Sequence, residues 1–558
     1  METLDRLETR YKYDVIGSVA TSPKMKGRET TGHPAFEHSP SSIAATAAYP
    51  HIPKAAMTTA LDHLQWTTAV YCGLVAGLIL LLVSAVRQPP FPGNAPPLVK
   101  DSYPVVGALR FFKSRKSFCQ DSSSRSKTGN YSFYVGKHRV VGVSGLQGRK
   151  TFYESKELAM FEGYSVLLSA TPDIDPGKGE NHFVSWFNKT ITKLLRKENL
   201  VKNLPVLVND ATSAVSQILD RCAKSRGVFD PFDDINRLVY QLNMRTLGAK
   251  EIAESPALLK KSLGLVDEVN KNNSNARIIF GFVITPTYLR RFIAAGRLYL
   301  MFKQLQRDRS RTGRREQDTL QFLMDEGADT LKIVTFIVAS LFAGQLNSGV
   351  NVAWVLCRLA ADANWARRVR AEVDSAVAKR RSRPEQTTLD VLRELTIDDW
   401  ESGFPTTVNC LQESVRLQTV GAAFRKNMSR GDVPIGSTGE VIPKGGFAAL
   451  AIDDVHMNPE IYTNPSVFDP DRFSPDRAED KKVPMAYGGW GHGRHVCLGM
   501  RFAKLEHTIV TAVFVAMCDF SLCDSHGQKV DGLPTIDREK RVVAKPDEPI
   551  RLKCFARC

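Results

Sequence analysis

Residues 487–499 have the sequence Tyr487-Gly-Gly-Trp-Gly-His-Gly-Arg-His-Val-Cys497-Leu-Gly499, which surrounds a single cysteine with glycines. Because glycine has no Cβ, this backbone can lie against a large planar group and direct N–H groups towards a sulfur atom. The next residues, Met500 to Glu506, have a helix-forming composition, so Cys497 lies near a helix N-terminus, where the dipole favours thiolate over thiol. The pattern predicts that Cys497 is the thiolate ligand of a haem iron.

The spacing Trp490-x-x-Gly493-x-His495-x-Cys497-x-Gly499 resembles the haem-binding loop of the cytochrome P450 superfamily. The resemblance implies haem b as the cofactor, with Cys497 as its axial ligand and Gly493 and Gly499 as parts of the loop. It also implies that Trp490 fills the aromatic position and that His495 fills the basic position that contacts a haem propionate. The alternative is a structural cysteine in a glycine-rich turn. A phosphate-binding loop does not fit, because no Gly-Lys-Ser/Thr follows.

Two further motifs precede the loop in the order that the same family requires. Glu413-Ser-Val-Arg416 places an acid and a base three residues apart, on one face of a helix, where they can pair. The segment Phe468-Asp-Pro-Asp-Arg472-Phe473 resembles the meander motif of the family. The resemblance implies that Arg472 completes a Glu-Arg-Arg network behind the haem. Taken singly, these motifs are also typical of a solvated helix and of a surface turn.

Residues 333–357 form a run without a charge, which by length alone can span a bilayer. Polar side chains interrupt its centre at Gln345, Asn347, Ser348 and Asn351. The spacing of residues 344, 347, 348 and 351 gathers most of them on one stripe of a helix. We therefore expect a buried helix that lines a small wet cavity rather than a membrane span.

The segment Ala343-Gly344-Gln345-Leu346-Asn347-Ser348 resembles the oxygen-binding groove of the family, in which an acid followed by threonine relays protons to dioxygen. Here Leu346 takes the position of the acid and Asn347 that of the threonine, so the usual relay is missing. Asparagine at this position also occurs in the sterol and bile-acid hydroxylases of the superfamily and in prostacyclin synthase. The resemblance permits a monooxygenase or an isomerase. We expect Ser348, or a water held by Asn347 in the groove beside Gly344, to deliver protons.

A second propionate contact is expected in the strand that follows the Glu413 helix, where Arg425 stands. The family often has a Trp-x-x-x-Arg pair earlier in the chain that makes a further contact. In this chain Trp186 is followed four residues later by Thr190, so that contact is not assigned.

The chain of 558 residues is 43% hydrophobic and has frequent runs of helical period with few alternating segments. This composition predicts a mainly α fold with small β-sheets, for example around Phe133 to Val143 and near the C-terminus. The resemblance implies the same architecture, a cytochrome P450 fold. We expect one catalytic domain over residues 100–558. The ten cysteines occur singly, without a Cys-x-x-Cys pair, which favours a reducing compartment.

Residues 66–86 contain no charge, and as a helix they extend about 31 Å, close to the thickness of the bilayer hydrocarbon core. We expect a single transmembrane anchor here. A disordered extension is expected over residues 1–65 and a Pro-rich hinge over residues 87–99. Basic residues follow the anchor, which predicts a cytosolic catalytic domain on the endoplasmic reticulum.

The net charge is +16, but the basic residues are dispersed and no aromatic-plus-basic RNA-binding motif is present, so we expect no nucleic-acid partner. Several basic residues surround the cysteine loop, where they can attract an acidic reductase. They are Lys481, Lys482, Arg494, Arg501 and Lys504. Solvated surface charge explains them equally well.

Together these residues predict a haem-thiolate monooxygenase that binds membrane lipid and oxidises a lipophilic small molecule, such as a terpenoid, sterol or other secondary metabolite. The resemblance implies that it uses O2 and electrons from NADPH, delivered by a flavoprotein NADPH-cytochrome P450 reductase. One alternative is a haem-thiolate isomerase or dehydratase that acts on an oxygenated lipid without a reductase. Another is a haem- or lipid-binding membrane protein without catalytic activity.

Overall fold

The structure is a computed structural model that describes residues 54–167, 180–271, 275–280, 283–540 and 545–557. Two compact units are distinguished, one ending at Ala76 and the other beginning at Gly77. Helices account for most of the described chain, as the composition predicts. They are α1 (Lys54–Val86), α2 (Arg110–Lys113), α3 (Arg115–Ser124), α4 (Gly145–Glu154), α5 (Met160–Leu167), α6 (Glu180–Leu194), α7 (Lys197–Lys224), α8 (Pro231–Leu247), α9 (Lys250–Glu254), α10 (Pro256–Lys271), α11 (Asn275–Ile279), α12 (Pro286–Thr312), α13 (Thr319–Asp325), α14 (Thr330–Ala361), α15 (Ala363–Arg380), α16 (Thr388–Glu394), α17 (Ile397–Ser402), α18 (Pro405–Gln418), α19 (Asp453–His456) and α20 (Met500–Met517).

The strands are short and form three small sheets. They are β1 (Ser102–Tyr103), β2 (Gly107–Ala108), β3 (Tyr131–Val135), β4 (His138–Val143), β5 (Leu158–Ala159), β6 (Val228–Phe229), β7 (Ala422–Asn427), β8 (Val433–Pro434), β9 (Val441–Ile442), β10 (Phe447–Ala451), β11 (Cys518–Cys523) and β12 (Arg551–Ala556). The largest sheet has the order β1-β2-β3-β4-β10-β7-β5, and β10 pairs with β4 in parallel. The second sheet, β11-β12-β6, includes the strand expected near the C-terminus, so both predicted sheet regions are confirmed.

The helix α14 is the centre of the helical core. Its N-terminus is capped by Asp329, whose side chain accepts a hydrogen bond from the Lys332 N–H. Its C-terminal half carries fully buried side chains such as Val352 and Trp354. By length and hydropathy α14 qualifies as a membrane span, but 59% of its most apolar window is buried within the protein. The expectation that this charge-free run is a buried helix is confirmed.

Two glycines let α14 and α8 approach closely. A Cβ added at Gly349 would lie 2.4 Å from Oδ1 of Asn236, and a Cβ added at Gly344 would lie 2.8 Å from Oδ1 of Asn243. Both distances are shorter than van der Waals contact, so a larger residue at either position would displace the asparagine side chain. Two asparagine side chains of α8 therefore lie directly on the backbone of α14.

The helix α1 contains the charge-free run expected to be an anchor. It begins at Lys54, so residues 54–65, which the composition assigned to a disordered extension, are helical. Residues 1–53 lie outside the described part of the chain. Within α1 the stretch Trp66–Leu78 is apolar, and its large side chains are exposed, including Trp66 at 72%. The transmembrane anchor stays a prediction.

The Pro-rich segment after α1 is fixed to the largest sheet. The Tyr134 hydroxyl donates to the Pro89 carbonyl at 2.6 Å, and Arg139 Nη1 donates to the Pro90 carbonyl at 3.0 Å. Near the end of the segment, Ser132 exchanges backbone hydrogen bonds with Pro97 and Val99. These bonds hold the segment on the β3–β4 hairpin.

Candidate active site

The cysteine loop is a tight turn that its own backbone holds in place. The Cys497 N–H donates to the Trp490 carbonyl at 2.7 Å, and a short 3-10 turn, Gly493–His495, lies between them. Gly491 and Gly493 have φ values of +68° and +57°, in the left-handed region that favours glycine. A side chain at either position would also collide with backbone oxygen, so the turn requires both glycines.

In the structure, the loop glycines make room for neighbouring protein atoms, whereas the sequence suggests that they make room for a planar group. A Cβ added at Gly493 would lie 2.6 Å from the Tyr153 carbonyl oxygen, and one at Gly489 would lie 2.6 Å from the Tyr487 hydroxyl. These positions face protein atoms rather than open space. Gly499 differs, because an added Cβ would meet only Leu195, at 3.8 Å. Packing within the protein therefore requires most of the loop glycines.

The Cys497 side chain is exposed, as are its neighbours Val496 and Leu498 at 45% and 43%. The helix α20 begins at Met500, close to where the sequence predicts a helix N-terminus. Although the side chain reaches solvent, protein atoms packed around it raise the pKa of the Cys497 thiol by desolvation, and a hydrogen bond from the Gly499 backbone opposes the rise. A metal ion deprotonates a coordinating thiol directly, so this thiol is suited to bind iron as a thiolate.

Two basic residues meet beside the loop. His495 Nε2 lies 3.4 Å from the Leu158 carbonyl, and burial followed by the nearby Arg425 charge lowers the pKa of His495. Arg425 is 3% exposed and lies over the ring of Phe152 at 4.6 Å. The structure thus brings together both residues that the resemblance assigns to propionates.

Arg425 lacks a carboxylate partner among the described residues. Its Nη1 donates to the Phe424 carbonyl at 2.8 Å, whereas its Nε has no hydrogen-bond partner. Burial lowers the pKa of Arg425, and Tyr164 and Tyr153 only partly oppose that effect. The Trp490 Nε1 donor is also buried without an acceptor in the described chain. Buried donors of this kind require an anion or another acceptor from outside the protein.

The Glu413, Arg416 and Arg472 side chains form a buried ion-pair network. Arg416 donates to both carboxylate oxygens of Glu413 at 2.8 Å, and Arg472 Nε donates to Glu413 Oε1 at 3.0 Å. All three side chains are 0% exposed. The sequence correctly pairs Glu413 with Arg416, because three residues along α18 place them on one face.

A fourth member of this network, Glu479, was not predicted. Its Oε2 accepts from Arg472 Nη1 at 2.7 Å, so two acids balance the two buried arginines. Burial by itself would raise the pKa of Glu479, but hydrogen bonds from Arg477 and Arg472 outweigh it and lower the pKa to about 2. No local spacing signals this residue, since only the fold of the meander brings it to Arg472.

The polar residues at the centre of α14 do not share one environment. Asn347 is exposed, and its Nδ2 donates to the carbonyl of the exposed Ala343 at 2.9 Å. Asn351 is 3% exposed, donates to the Asn347 carbonyl and accepts from Ser414 at 3.0 Å. Gln345 is buried and bonds to Asn236 of α8. Gln345 lies outside the expected stripe of residues 344, 347, 348 and 351, and it joins two helices.

A sequence profile of the family described as Cytochrome P450 matches residues 96–554. Among similar proteins, the cytochrome P450 monooxygenase AacuE of Aspergillus aculeatus is 32% identical over 82% of this chain and 93% of its own. The cytochrome P450 monooxygenase nsrP of Aspergillus novofumigatus is 29% identical over 83% of this chain and 91% of its own. The lanosterol 14-alpha demethylase of Cunninghamella elegans is 23% identical over 81% of this chain and 91% of its own.

The chain belongs to the cytochrome P450 family. Its fold is mainly helical with small sheets, as that membership requires, and it is a P450 monooxygenase by its similarity to these proteins. Family membership implies haem with a cysteine thiolate, and O2 with electrons from a redox partner. The residues of this P450 fit such a group, because an accessible thiol lies on the cysteine loop and a buried guanidinium without a carboxylate partner among the described residues lies beside that loop.

The basic residues around the cysteine loop of the P450 have different surroundings. Lys481, Lys482 and Arg494 are exposed. Arg501 is exposed as well, and it pairs with Glu401 at 2.5 and 2.8 Å. Lys504 is partly buried, and burial lowers its pKa. Four of the five basic residues are therefore exposed, and two of these four, Lys482 and Arg501, lie beside a carboxylate of the protein.

Proposed function

We propose that this P450 hydroxylates or otherwise oxidises a lipophilic small molecule, with Cys497 as the axial ligand of haem b. The observation that carries the proposal is the exposed Cys497 thiol on a loop whose conformation requires glycine at positions 491 and 493. When bound, haem supplies the centre that activates dioxygen, and electron donation by a thiolate favours O–O cleavage. Arg425 and His495 bind the propionates, and Trp490 supplies a further donor.

The substrate class rests on apolar surface and on related proteins. Large apolar side chains are exposed around the start of α12, including Ile284 at 69% and Phe292 at 70%. Similar proteins include an obtusifoliol 14-alpha demethylase, a lanosterol 14-alpha demethylase and a sterol 14-demethylase. These observations support a terpenoid, sterol or other hydrophobic secondary metabolite that reaches the protein from a membrane.

The oxygen-binding groove of α14 is assigned to Gly344, Asn347 and Ser348. Asn347 uses its amide N–H on the Ala343 carbonyl, so its amide oxygen is left to hold a water. Ser348 supplies a hydroxyl, and Gly344 keeps the backbone close to α8. These three residues take the place of the acid and threonine that usually move protons to dioxygen.

We further propose that residues 66–86 anchor the protein in the endoplasmic reticulum membrane with the catalytic domain in the cytosol. An apolar helix with exposed side chains on every side is stable only in an apolar environment. Electrons from NADPH arrive through a flavoprotein reductase. Its acidic surface contacts the exposed Lys481, Lys482 and Arg494 near the cysteine loop.

Arg425→Leu is expected to weaken haem binding by about 1.5–3 kcal/mol, because it removes a charge-assisted hydrogen-bond donor to a propionate. The stability of the haem-free protein should not fall, since Arg425 has no internal carboxylate partner in the described chain. Arg538→Leu is the matched control, because Arg538 pairs with Asp453 and its loss should destabilise the haem-free protein. Haem titration measures the affinity for haem, and urea unfolding measures the stability of the haem-free protein. Equal haem affinity in wild type and Arg425→Leu would contradict the propionate role.

Growth of producing cells under labelled dioxygen is expected to give a product that carries the label. The comparison is between the metabolites of cells with and without the gene, analysed by mass spectrometry. A monooxygenase places one dioxygen atom in its product and requires a reductase. A gene-dependent product without label, formed without the reductase, would instead establish the isomerase.

A further inference from the structure

Two cysteines from distant parts of the chain meet at the end of α7. Cys554 Sγ on β12 lies 3.2 Å from Cys222 Sγ in the last turn of α7, although 332 residues separate the two positions. Both are free thiols, and the two residues are only 1% and 2% exposed. Neither belongs to the cysteine loop or to the groove of α14. Two adjacent sulfur atoms outside the haem site therefore require an explanation.

The backbone already holds the two cysteines beside each other. The Gly227 N–H donates to the Cys222 carbonyl at 2.9 Å, and the Cys554 N–H donates to the Gly227 carbonyl at 2.8 Å. Gly227 has a φ of +82°, a conformation that favours glycine. The strand β12 also pairs with β6, which begins at Val228. The two segments are therefore fixed together before any bond forms between the sulfur atoms, as a disulfide requires.

The two thiols are weakly acidic. The hydrogen bond with Cys554, together with burial, raises the pKa of Cys222 well above its usual value. The hydrogen bond with Cys222 lowers the pKa of Cys554, but a hydrogen bond with Cys518 and burial outweigh it and raise that pKa to about 12. A thiol attacks an oxidant as its thiolate, so both sulfur atoms react slowly. The pair therefore stays reduced during brief exposure to an oxidant and is oxidised by sustained exposure.

A cleft gives small molecules access to Cys222. The cleft opens to solvent, has a volume of about 510 Å³ and is lined by Cys222 and by the basic residues Arg226, His526 and Lys553. A water molecule occupies only about 30 Å³. A small oxidant such as hydrogen peroxide can therefore approach Cys222 through this cleft.

We propose that Cys222 and Cys554 form a reversible disulfide when the protein is exposed to hydrogen peroxide. The Cys222 sulfur, as a thiolate, attacks one peroxide oxygen and breaks the O–O bond, which gives a sulfenic acid and water. The Cys554 sulfur then attacks the sulfenic sulfur, the S–O bond breaks, and a second water leaves. The two thiols lose two electrons and two protons, and one peroxide becomes two waters. Two molecules of a small thiol reductant reverse the change as they form their own disulfide.

The disulfide joins the C-terminal strand to a helix of the core. The helix α7 packs against α20, and β12 pairs with β11, which follows directly after α20. The ends of the loop that the bond closes are 332 residues apart. A cross-link restricts the unfolded chain most when it closes a long loop. We therefore expect the oxidised protein to unfold at a temperature about 3–10 °C above that of the reduced protein.

The ordinary alternative is that the two thiols only fill space in the core, as buried cysteines usually do. Cys222→Ser and Cys554→Ser each remove one sulfur and keep a side chain of similar size. Cys518→Ser is the matched control. Cys518 is also buried and also bonds to Cys554, but the proposed disulfide does not include it.

Mass spectrometry of the haem-containing full-length protein tests the bond directly. The protein is treated with hydrogen peroxide, the remaining thiols are alkylated under denaturing conditions, and the peptides are compared with and without dithiothreitol. In wild type and in Cys518→Ser we expect a linked pair of peptides that contain Cys222 and Cys554, which dithiothreitol separates. Absence of this pair, or a link between Cys518 and Cys554 in its place, would overturn the inference.

Thermal unfolding followed by circular dichroism tests the effect of the bond on stability. After the same peroxide treatment, the rise in unfolding temperature should occur in wild type and in Cys518→Ser. It should be absent in Cys222→Ser and in Cys554→Ser, which distinguishes the disulfide from oxidation elsewhere in the protein. The same change in all four proteins would refute the stabilising role of the Cys222–Cys554 bond.

Discussion

Glu413→Gln is expected to lower the free energy of unfolding by about 3–5 kcal/mol. Glu413 accepts hydrogen bonds from Arg416 and Arg472, and the three side chains are fully buried. The amide keeps the size of the carboxylate but removes its charge. Arg416 would then have no carboxylate partner among the described residues, and Arg472 would keep only Glu479. Urea unfolding of the haem-containing protein, followed by circular dichroism, measures the loss.

The surface ion pair between Glu401 and Arg501 supplies a matched control. Its two hydrogen bonds, at 2.5 and 2.8 Å, are as short as those of the buried network, but the side chains are 31% and 41% exposed. Exposed pairs contribute about 0–1 kcal/mol. Glu401→Gln should therefore have little effect. If both variants lost a similar amount of unfolding free energy, the claim that burial makes the Glu413 network more stabilising than a surface pair would be wrong.

The sequence predicts those parts of the site whose residues lie close together in the chain. Cys497 and His495 lie within one loop, and Glu413 and Arg416 lie within one helical turn, so local geometry already places them. Arg472 was assigned by resemblance, and the structure places it in the buried network. The mainly helical fold follows from the period of the apolar residues.

Other parts depend on contacts that no local spacing predicts, either within a folded segment or between distant segments. Glu479 reaches Arg472 only because the meander folds back on itself. Asn243 and Glu506 belong to two different helices and meet beside a third. The bond of the Gln345 side chain to Asn236 of another helix also leaves no local sequence signal.

The loop glycines show how a correct prediction can have an incomplete reason. Their absence of Cβ was taken to make room for a planar cofactor. In the structure, side chains at Gly491 and Gly493 would collide with the protein backbone itself. The sequence shows that glycines occur in this loop. Which atoms a side chain at each position would contact depends on how the loop folds.

Cys497→Ser is expected to abolish thiolate ligation, because a serine hydroxyl does not replace a thiolate as an iron ligand of this class. The expected effect is complete loss of the thiolate-type spectrum and of reductase-dependent oxidation. Cys72→Ser is the matched control, since Cys72 is the other exposed cysteine in the described part of the chain. That variant should retain the wild-type spectrum.

The ferrous carbon monoxide difference spectrum of wild type, Cys497→Ser and Cys72→Ser tests the thiolate assignment most directly. We predict the haem-thiolate band in wild type and in Cys72→Ser, and its disappearance in Cys497→Ser. An unchanged haem-thiolate band in Cys497→Ser would show that another residue binds the iron and would contradict the assignment of the site.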